Sequence, residues 1–498
     1  MDQLTTSSRL VGGRVPAARD TGQPNGDDDD AAGAQQPLEP LRARVILQNA
    51  ALVFLCAVSL AQHVFMPGMY QEYYGIGSGS LAAMTMVFFS THILTGPWIV
   101  ALLREHGAKR TLEAASAMHL LSTVFKVASV PHGSFTLLLT GQCAAAVSME
   151  VALSAPAMIA AGWFPRDERT SAVVTVVLSE TLGFAVAAIL PLLVAFDAVR
   201  QSLLLFFGLL LAAAGAELAS SVFLRPPFPF YGPGESEAAA VRASALDSQL
   251  VGLRGFRHVA WKLLTQNYDF CILTATAGVA IAFTWVYTFT MPAALGVFGF
   301  SEATTGAMTT LKLLAAVPPA MVCASLMDNN RKYRKMLLIL LGLAALFVAL
   351  LTVSVYSMRP SDTGRSAAFV IVVGGFNVFL GIAQTALPAV AIEHAVEVSF
   401  PVDAAAVGGV FMWLAHGIAA VIALAVMLLV PPGWEAYTVS RAWGKAYFMV
   451  FAVVSVLAFL GAFFVSSRRR RHEDELDRDA ACAADDIRHA QGANGGHR

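Results

Sequence analysis

The residues best suited to binding chemistry lie inside long apolar runs of the chain. The run 268–296 contains AFTWVYTFTMP, in which Trp285 and Phe289 fall on one face of a helix. An aromatic ring attracts an ammonium group through its quadrupole, and Trp does so most strongly. Phe283 and Tyr287 fall on a second face, and either pair could instead contact lipid or a neighbouring helix. The pattern therefore predicts a site for an organic cation or a membrane-facing surface.

Two ionisable residues interrupt other apolar runs. Glu180 lies in the run 171–196, and a carboxylate inside a bilayer is costly and usually faces a cavity or a partner. It could counter a cationic solute, carry a proton, or serve as a structural acid between helices. His416 lies in MWLAHGIAA. Histidine titrates near neutral pH and can ligate haem iron, although a lone histidine in a helix is more often a packing residue.

Further polar residues lie within apolar runs, and some must line a pathway because such residues rarely face lipid. Gln142 is one of these, and Glu150 falls eight residues later, on roughly the same helix face. The others are Lys126, Lys312, His92, His119, Asn377 and Gln384. Four of the five cysteines lie in apolar runs without metal-site spacing, so we expect small packing residues and no metal or cofactor.

The elements that position these residues are membrane spans. Of the 498 residues, 56% are hydrophobic and 13% are charged, whereas a soluble domain carries about 25% charge. The apolar residues form twelve runs of the length that a bilayer core requires. The runs are 45–67, 81–103, 110–130, 135–163, 171–196, 202–224, 268–296, 303–327, 335–357, 366–393, 404–430 and 446–467.

The order of these runs predicts an all-α integral membrane protein with twelve transmembrane helices in two six-helix bundles, which is the major facilitator plan. Its expected parts are a disordered N-tail (1–42), the first bundle (43–224), a central loop (225–266), the second bundle (267–467) and a C-tail (468–498). Connecting segments on one side are rich in Lys and Arg. Both termini are therefore expected in the cytosol, and the plasma membrane is favoured over an internal one.

Two stretches resemble the FLVCR family, the feline leukaemia virus subgroup C receptor type of transporter. GQCAAAVSMEVALSAPAMIAAGWFPRDERTSAVVTVVLSETLGFAVAAILP covers spans 4 and 5, and LPAVAIEHAVEVSFPVDAAAVGGVF covers spans 10 and 11. The resemblance implies a solute carrier, and members of the family are assigned to choline, ethanolamine or haem. It also places Trp285 at or near an aromatic cavity residue. Thr181 and His416 stand where the family has glutamines that line the cavity.

Span 1 departs from the family pattern, which has a Trp at the level of the cavity. The corresponding position here is Leu60 or, with a small gap, His63 or Phe65 in AQHVFMPGM. Without that Trp a two-walled aromatic cage is in doubt, and so is choline. A His at this position would suit haem or an anionic porphyrin better.

A second group of candidates lies at span ends. The loop DNNRKYRK resembles the family's loop after span 8, and facilitators usually carry an acidic residue there that caps or contacts a neighbouring helix. Asp328 and Arg331 fit this role, or they belong to an ordinary basic loop. Glu393 and Glu397 lie one helical turn apart before Pro401, and we interpret them as partners of basic loops rather than substrate ligands.

These observations favour an alternating-access transporter of haem or of choline and ethanolamine. Two alternatives remain: a proton-coupled porter of an unrelated metabolite that uses Glu180 and His416, and a transport-inactive receptor on the same fold. An enzyme is least expected, because the sequence has no His-Glu-x-x-His or Gly-x-Ser-x-Gly motif. The net charge of -1 argues against a nucleic-acid partner. The partners expected are the lipid bilayer and a small solute, and we expect a monomer.

Overall fold

The apolar runs become long helices. A computed structural model describes residues 38–164, 168–193, 198–224, 253–358, 366–402, 404–429 and 441–467, and within these ranges the chain has no β-strand. Eleven segments of the described chain are long and apolar enough to cross a membrane. The main helices are Leu38–Phe65, Ser78–His132, Phe135–Ser154, Arg169–Leu193, Val199–Leu224, Val279–Gly296, Glu302–Asn330, Tyr333–Ser357, Ala367–Thr385, Ala404–Leu429 and Arg441–Gly461.

A twelfth crossing is contained in the helix Ser78–His132. This helix is kinked at Gly107, whose φ of 77° is accessible to glycine at little cost. The segment 108–132 then packs against the next helix, where the Ser122 hydroxyl donates to the Gly141 carbonyl at 2.7 Å. We number 108–132 as span 3, and the twelve-helix prediction is confirmed.

Short helices complete several spans. Pro156–Trp163 continues span 4, and Leu387–Ser399 continues span 10. Span 7 begins as Tyr268–Leu273 and passes through a π-helical turn, Thr274–Gly278; such turns recur at functional sites. Pro67–Tyr74 links spans 1 and 2.

The last part of the predicted central loop (225–266) forms a helix, Leu253–Gln266, which the sequence analysis did not predict. Phe256, Val259, Ala260 and Leu263 are buried at helical spacing, and the Phe256 ring meets Trp413 of span 11 at 5.5 Å. The first helix begins at Leu38 rather than after residue 42. Residues 1–37, 225–252 and 468–498 lie outside the described residues, so the predicted tails and most of the loop are not described.

The first half (spans 1–6) and the second half (spans 7–12) touch closely in the membrane. A Cβ atom added at Gly306 would lie 2.4 Å from the Ala188 carbonyl oxygen, and one at Gly409 would lie 2.6 Å from Val100. Helix backbones approach this closely only where side chains are small. Below, the terminal side is the membrane side where span 1 begins and span 12 ends, and the other is the opposite side.

Candidate functional site

A small cavity lies between the halves and extends from the middle of the spans towards the terminal side. The first half contributes Ser154, Val177 and Glu180 to its wall, and the second half contributes Trp285, Ile392 and Met412. We call it the central cavity. Its volume is about 30 Å³, which is room for about two water molecules. In this conformation the cavity is therefore too small to hold an organic solute.

Glu180 and Trp285 reach this cavity from opposite halves. Glu180 is 6% exposed, and its Oε1 atom has no hydrogen-bond partner among the described residues. A buried carboxyl oxygen without a partner is energetically costly. A positively charged group in the cavity would supply the missing interaction and would meet an aromatic wall at Trp285.

His416 lies in a stack of rings rather than in the cavity wall. Its ring centre is 3.9 Å from that of Trp285 and 3.4 Å from that of His92, with interplanar angles of 23° and 14°. The Nδ1 atom is 2.9 Å from the Met412 carbonyl oxygen. A carbonyl oxygen only accepts hydrogen bonds, so Nδ1 carries the proton.

His92 joins this stack to an acidic residue. Its Nε2 atom is 2.5 Å from Glu150 Oε2, and its Nδ1 atom is 3.3 Å from the Phe88 carbonyl oxygen. The Ser154 hydroxyl donates to Glu150 Oε1 at 3.3 Å. His92 and Glu150 are two of the polar residues that interrupt the apolar runs of the sequence. Both residues are ionisable and lie far from the ends of their spans. Pairing between two such residues is favourable, so their positions in the sequence could have predicted this contact.

Phe289 packs in an aromatic layer beside the stack. Its ring lies 5.3 Å from both Phe88 and Phe184, and Phe88 also contacts His416 at 6.0 Å. Each phenylalanine lies one helical turn closer to the opposite side than a residue of the site. The pairs are Phe88 with His92, Phe184 with Glu180, and Phe289 with Trp285. The layer therefore covers the site on the opposite side, and Phe289 lies outside the cavity wall.

Three other predicted site residues also lie outside the cavity wall. Thr181 donates its hydroxyl to the Val177 carbonyl at 3.1 Å. His63 Nε2 lies 3.0 Å from the Thr85 hydroxyl. Gln142 accepts from Lys126 Nζ at 2.8 Å and donates to the Leu60 carbonyl at 2.9 Å. Gln142 thus connects spans 1, 3 and 4 within the first half.

The two halves are bridged at both membrane surfaces. On the terminal side the Asp328 carboxylate accepts from the backbone amides of Thr170 and Ser171, each at 3.0 Å, and so caps span 5. On the opposite side Glu302 Oε1 accepts from the Gly68 amide at 3.3 Å. Both bridges run from the second half to the first.

The remaining predicted gating residues cluster near Asp328. Arg331 ends span 8 with a left-handed φ of 49°. It lies close enough to Tyr333 to act on its hydroxyl electrostatically, as do Glu393 and Glu397. Pro401 follows span 10 on the terminal side. The acidic pair therefore lies near the basic loop after span 8, and neither residue lines the central cavity.

Comparison with known proteins shows which family has this architecture. The family model described as the Major Facilitator Superfamily matches residues 50–424. The chain belongs to the Major Facilitator Superfamily. Solved structures agree with this fold: the proton:xylose symporter XylE has a TM-score of 0.64 at 12% identity, covering 88% of this chain and 99% of that chain. The transporter FucP has a TM-score of 0.55 at 12% identity, covering 84% and 98%.

Curated relatives of this facilitator include named transporters. The choline/ethanolamine transporter FLVCR1 of Felis catus is 25% identical over 76% of this chain and 66% of its own length. Solute carrier family 49 member A3 of Danio rerio is 23% identical over 90% of this chain and 93% of its own. The choline/ethanolamine transporter FLVCR2 of Homo sapiens is 20% identical over 70% and 65%. The predicted resemblance to the FLVCR type is confirmed, and the facilitator is a multi-pass membrane transporter.

Proposed function

We propose that the protein carries a small organic cation of the choline or ethanolamine class across the membrane by alternating access. One observation supports this most directly. The carboxyl group of Glu180 and the indole of Trp285 enter one cavity from the two halves. A carboxyl group and an aromatic face both favour an ammonium ion in a site that is largely buried.

The closed cavity and the two bridges fit an alternating-access cycle. Breaking the Asp328 contacts with Thr170 and Ser171 would open the terminal side. Breaking the Glu302 contact with Gly68 would open the opposite side. In facilitators the two halves rock about a fixed central site, so each bridge is proposed as the latch of one side.

The sequence expectation of haem gains no support from the contacts of His63. That expectation depended on the family resemblance, on His416 and on a histidine at the cavity level of span 1. His63 lies outside the described cavity wall and contacts Thr85. The carboxyl group in the wall is also unsuited to an anionic porphyrin.

The orientation of the carrier is proposed from its basic residues. The described terminal-side segments carry Arg42, Lys109, Arg110, Arg254, Arg257, Lys262, Arg331, Lys332, Arg334 and Lys335, against Arg200, Arg441 and Lys445 on the opposite side. Positive residues remain cytoplasmic, so the terminal side is proposed to face the cytosol. We propose the plasma membrane as the location.

Thermal unfolding of the purified protein tests the proposed ligand class. Choline or ethanolamine should raise the melting temperature, because a ligand that binds only the folded state stabilises it. The rise should be much smaller in Trp285→Ala and intact in Trp98→Ala, whose indole is 58% exposed on span 2. An equal rise in both variants, or a rise with haem alone, would overturn the proposal.

A further inference from the structure

Three ionisable side chains meet where the two halves touch in mid-membrane. His92 and Glu150 belong to the first half, and His416 belongs to the second. The two imidazole rings stack at 3.4 Å, and the exposure of their residues is 2% and 0%. We call His92 and His416 the interface histidines. Nothing in the proposed binding of an organic cation at Glu180 and Trp285 requires them.

The protons of the interface histidines can be assigned from their neighbours. In each ring Nδ1 faces a backbone carbonyl, of Phe88 or of Met412, and therefore carries a hydrogen. His92 Nε2 is 2.5 Å from Glu150 Oε2, so a positive charge on the His92 ring would be balanced by this carboxylate.

His416 Nε2 is different, because it is an acceptor that the closed structure leaves unused. The atom is buried and has no hydrogen-bond partner among the described residues. A proton there would make an imidazolium on a residue that is 0% exposed, with no described group to accept from its Nε2–H. A buried charge without a partner is unfavourable while the halves are closed.

We propose that His416 Nε2 is a proton-binding site that fills when the central cavity opens and empties when it closes. On opening, the Nε2 lone pair takes a proton from entering water and forms an N–H bond. On closing, that bond breaks and the proton returns to water. The open state thus binds more protons than the closed state, so acid conditions favour opening and alkaline conditions favour closure.

The other ionisable groups around the stack indicate how the proton is coupled to transport. Glu180 of span 5 and Trp285 both line the central cavity. The Trp285 ring also stacks on the His416 ring. His63 of span 1 contacts Thr85, two helical turns from His92. The helix packed over Trp413 carries ionisable residues that are exposed and terminal-side: Arg254, Arg257, His258 and Lys262.

Glu180 is thus the acidic residue in the described wall of the central cavity. It could attract either of two positive charges, the imidazolium of His416 or the ammonium group of a bound solute. An imidazolium at His416 and an ammonium ion in the cavity would repel each other through Trp285. Proton and solute therefore exchange rather than bind together. This coupling assumes the proposed alternating-access cation transport, whereas the proton site itself needs only the movement of the halves.

Distances between spin labels test the proton site without any solute. In a chain lacking its native cysteines, one label pair replaces Arg110 and Asn330 on the terminal side, and a second replaces Glu72 and Ser357 on the opposite side. All four positions are exposed. Acidification from about pH 8 to about pH 6 should increase the population with a longer distance in at least one pair. His416→Gln should remove this response, and His132→Gln, an exposed control, should keep it.

Two outcomes would overturn the proton site. One is a wild-type distance distribution that does not change with pH, and the other is a response that His416→Gln leaves intact. If that variant does not fold, His92→Phe serves instead, because it retains the ring stack on His416, removes the neighbouring imidazole and should shift the pH midpoint. Choline uptake, measured in parallel, separates the two proposals. A normal pH response without uptake contradicts only the proposed solute, whereas uptake with a pH-independent movement contradicts only the proton site.

Discussion

Asp328 of the second half holds Ser171 of the first half through two hydrogen bonds. Its Oδ2 atom accepts from the Ser171 amide at 3.0 Å and from the Ser171 hydroxyl at 2.5 Å. Because Oδ1 also accepts from the Thr170 amide, one carboxylate caps a helix of the other bundle. The favourable interaction of an acidic group with a helix N-terminus thus contributes to closing the terminal side.

Asp328→Asn should therefore shift the carrier towards opening on the terminal side. The substitution removes the charge and turns one acceptor into a donor facing backbone amides. Loss of such a cap costs about 1 kcal/mol, or about a fivefold change in the closed-to-open ratio. Spin labels at positions 110 and 330 should report the longer distance. An unchanged distribution would show that the cap does not hold the halves together.

Glu302→Gln is the matched change on the other surface. Glu302 accepts from the Gly68 amide at 3.3 Å, a single and longer contact, so the expected shift towards opening on the opposite side is smaller. Labels at positions 72 and 357 should detect it, while the pair at 110 and 330 should not. If Asp328→Asn or Glu302→Gln changed the distances of both label pairs, the proposal that each bridge closes one side would be contradicted.

Gly306→Ala should destabilise the closed structure. The added Cβ would lie 2.4 Å from the Ala188 carbonyl oxygen, where spans 5 and 8 meet. Overpacking of this kind costs about 1–3 kcal/mol, so the melting temperature should fall. Gly208→Ala is the control, because nothing lies within 4 Å of its added Cβ. Equal melting temperatures for the two variants would show that spans 5 and 8 do not approach this closely.

Gln142→Ala should lower stability without weakening solute binding. The amide connects Lys126 Nζ to the Leu60 carbonyl, and its loss leaves two buried polar groups without one of their partners, at about 1–3 kcal/mol for each group left unsatisfied. The melting temperature should fall while the choline concentration for half-maximal uptake stays the same. A large rise in that concentration at an unchanged melting temperature would return Gln142 to the binding site, as the sequence analysis proposed.

The fold was predictable because each span had to be long and apolar to cross the bilayer. The helix Leu253–Gln266 was missed because its apolar residues are spaced around polar ones, and burial against Trp413 depends on tertiary structure. Glu180 and Trp285 could be predicted as candidates because an acid in a span and an unusual aromatic pattern are visible in the sequence, and both line the central cavity. The partnership of His92, Glu150 and His416 joins spans 2, 4 and 11, so only the packing of the halves reveals it.

Thr181 illustrates a different limit. Alignment placed it where relatives have an amide, but a threonine hydroxyl in a helix can donate to the carbonyl four residues earlier. Thr181 does so with Val177, which occupies its donor. The contribution of this position to binding therefore stays a prediction.

Uptake of labelled choline into proteoliposomes is the most direct test of the central claim, that Glu180 and Trp285 bind an organic cation. Wild-type protein should accumulate choline, and excess unlabelled ethanolamine should compete. Glu180→Gln should reduce uptake by about tenfold or more, as expected for losing an ionic partner in a site from which water is excluded. Glu72→Gln, at an exposed residue of the opposite side, should transport normally. Uptake by Glu180→Gln equal to that of the wild type, or no uptake above empty liposomes, would contradict the account.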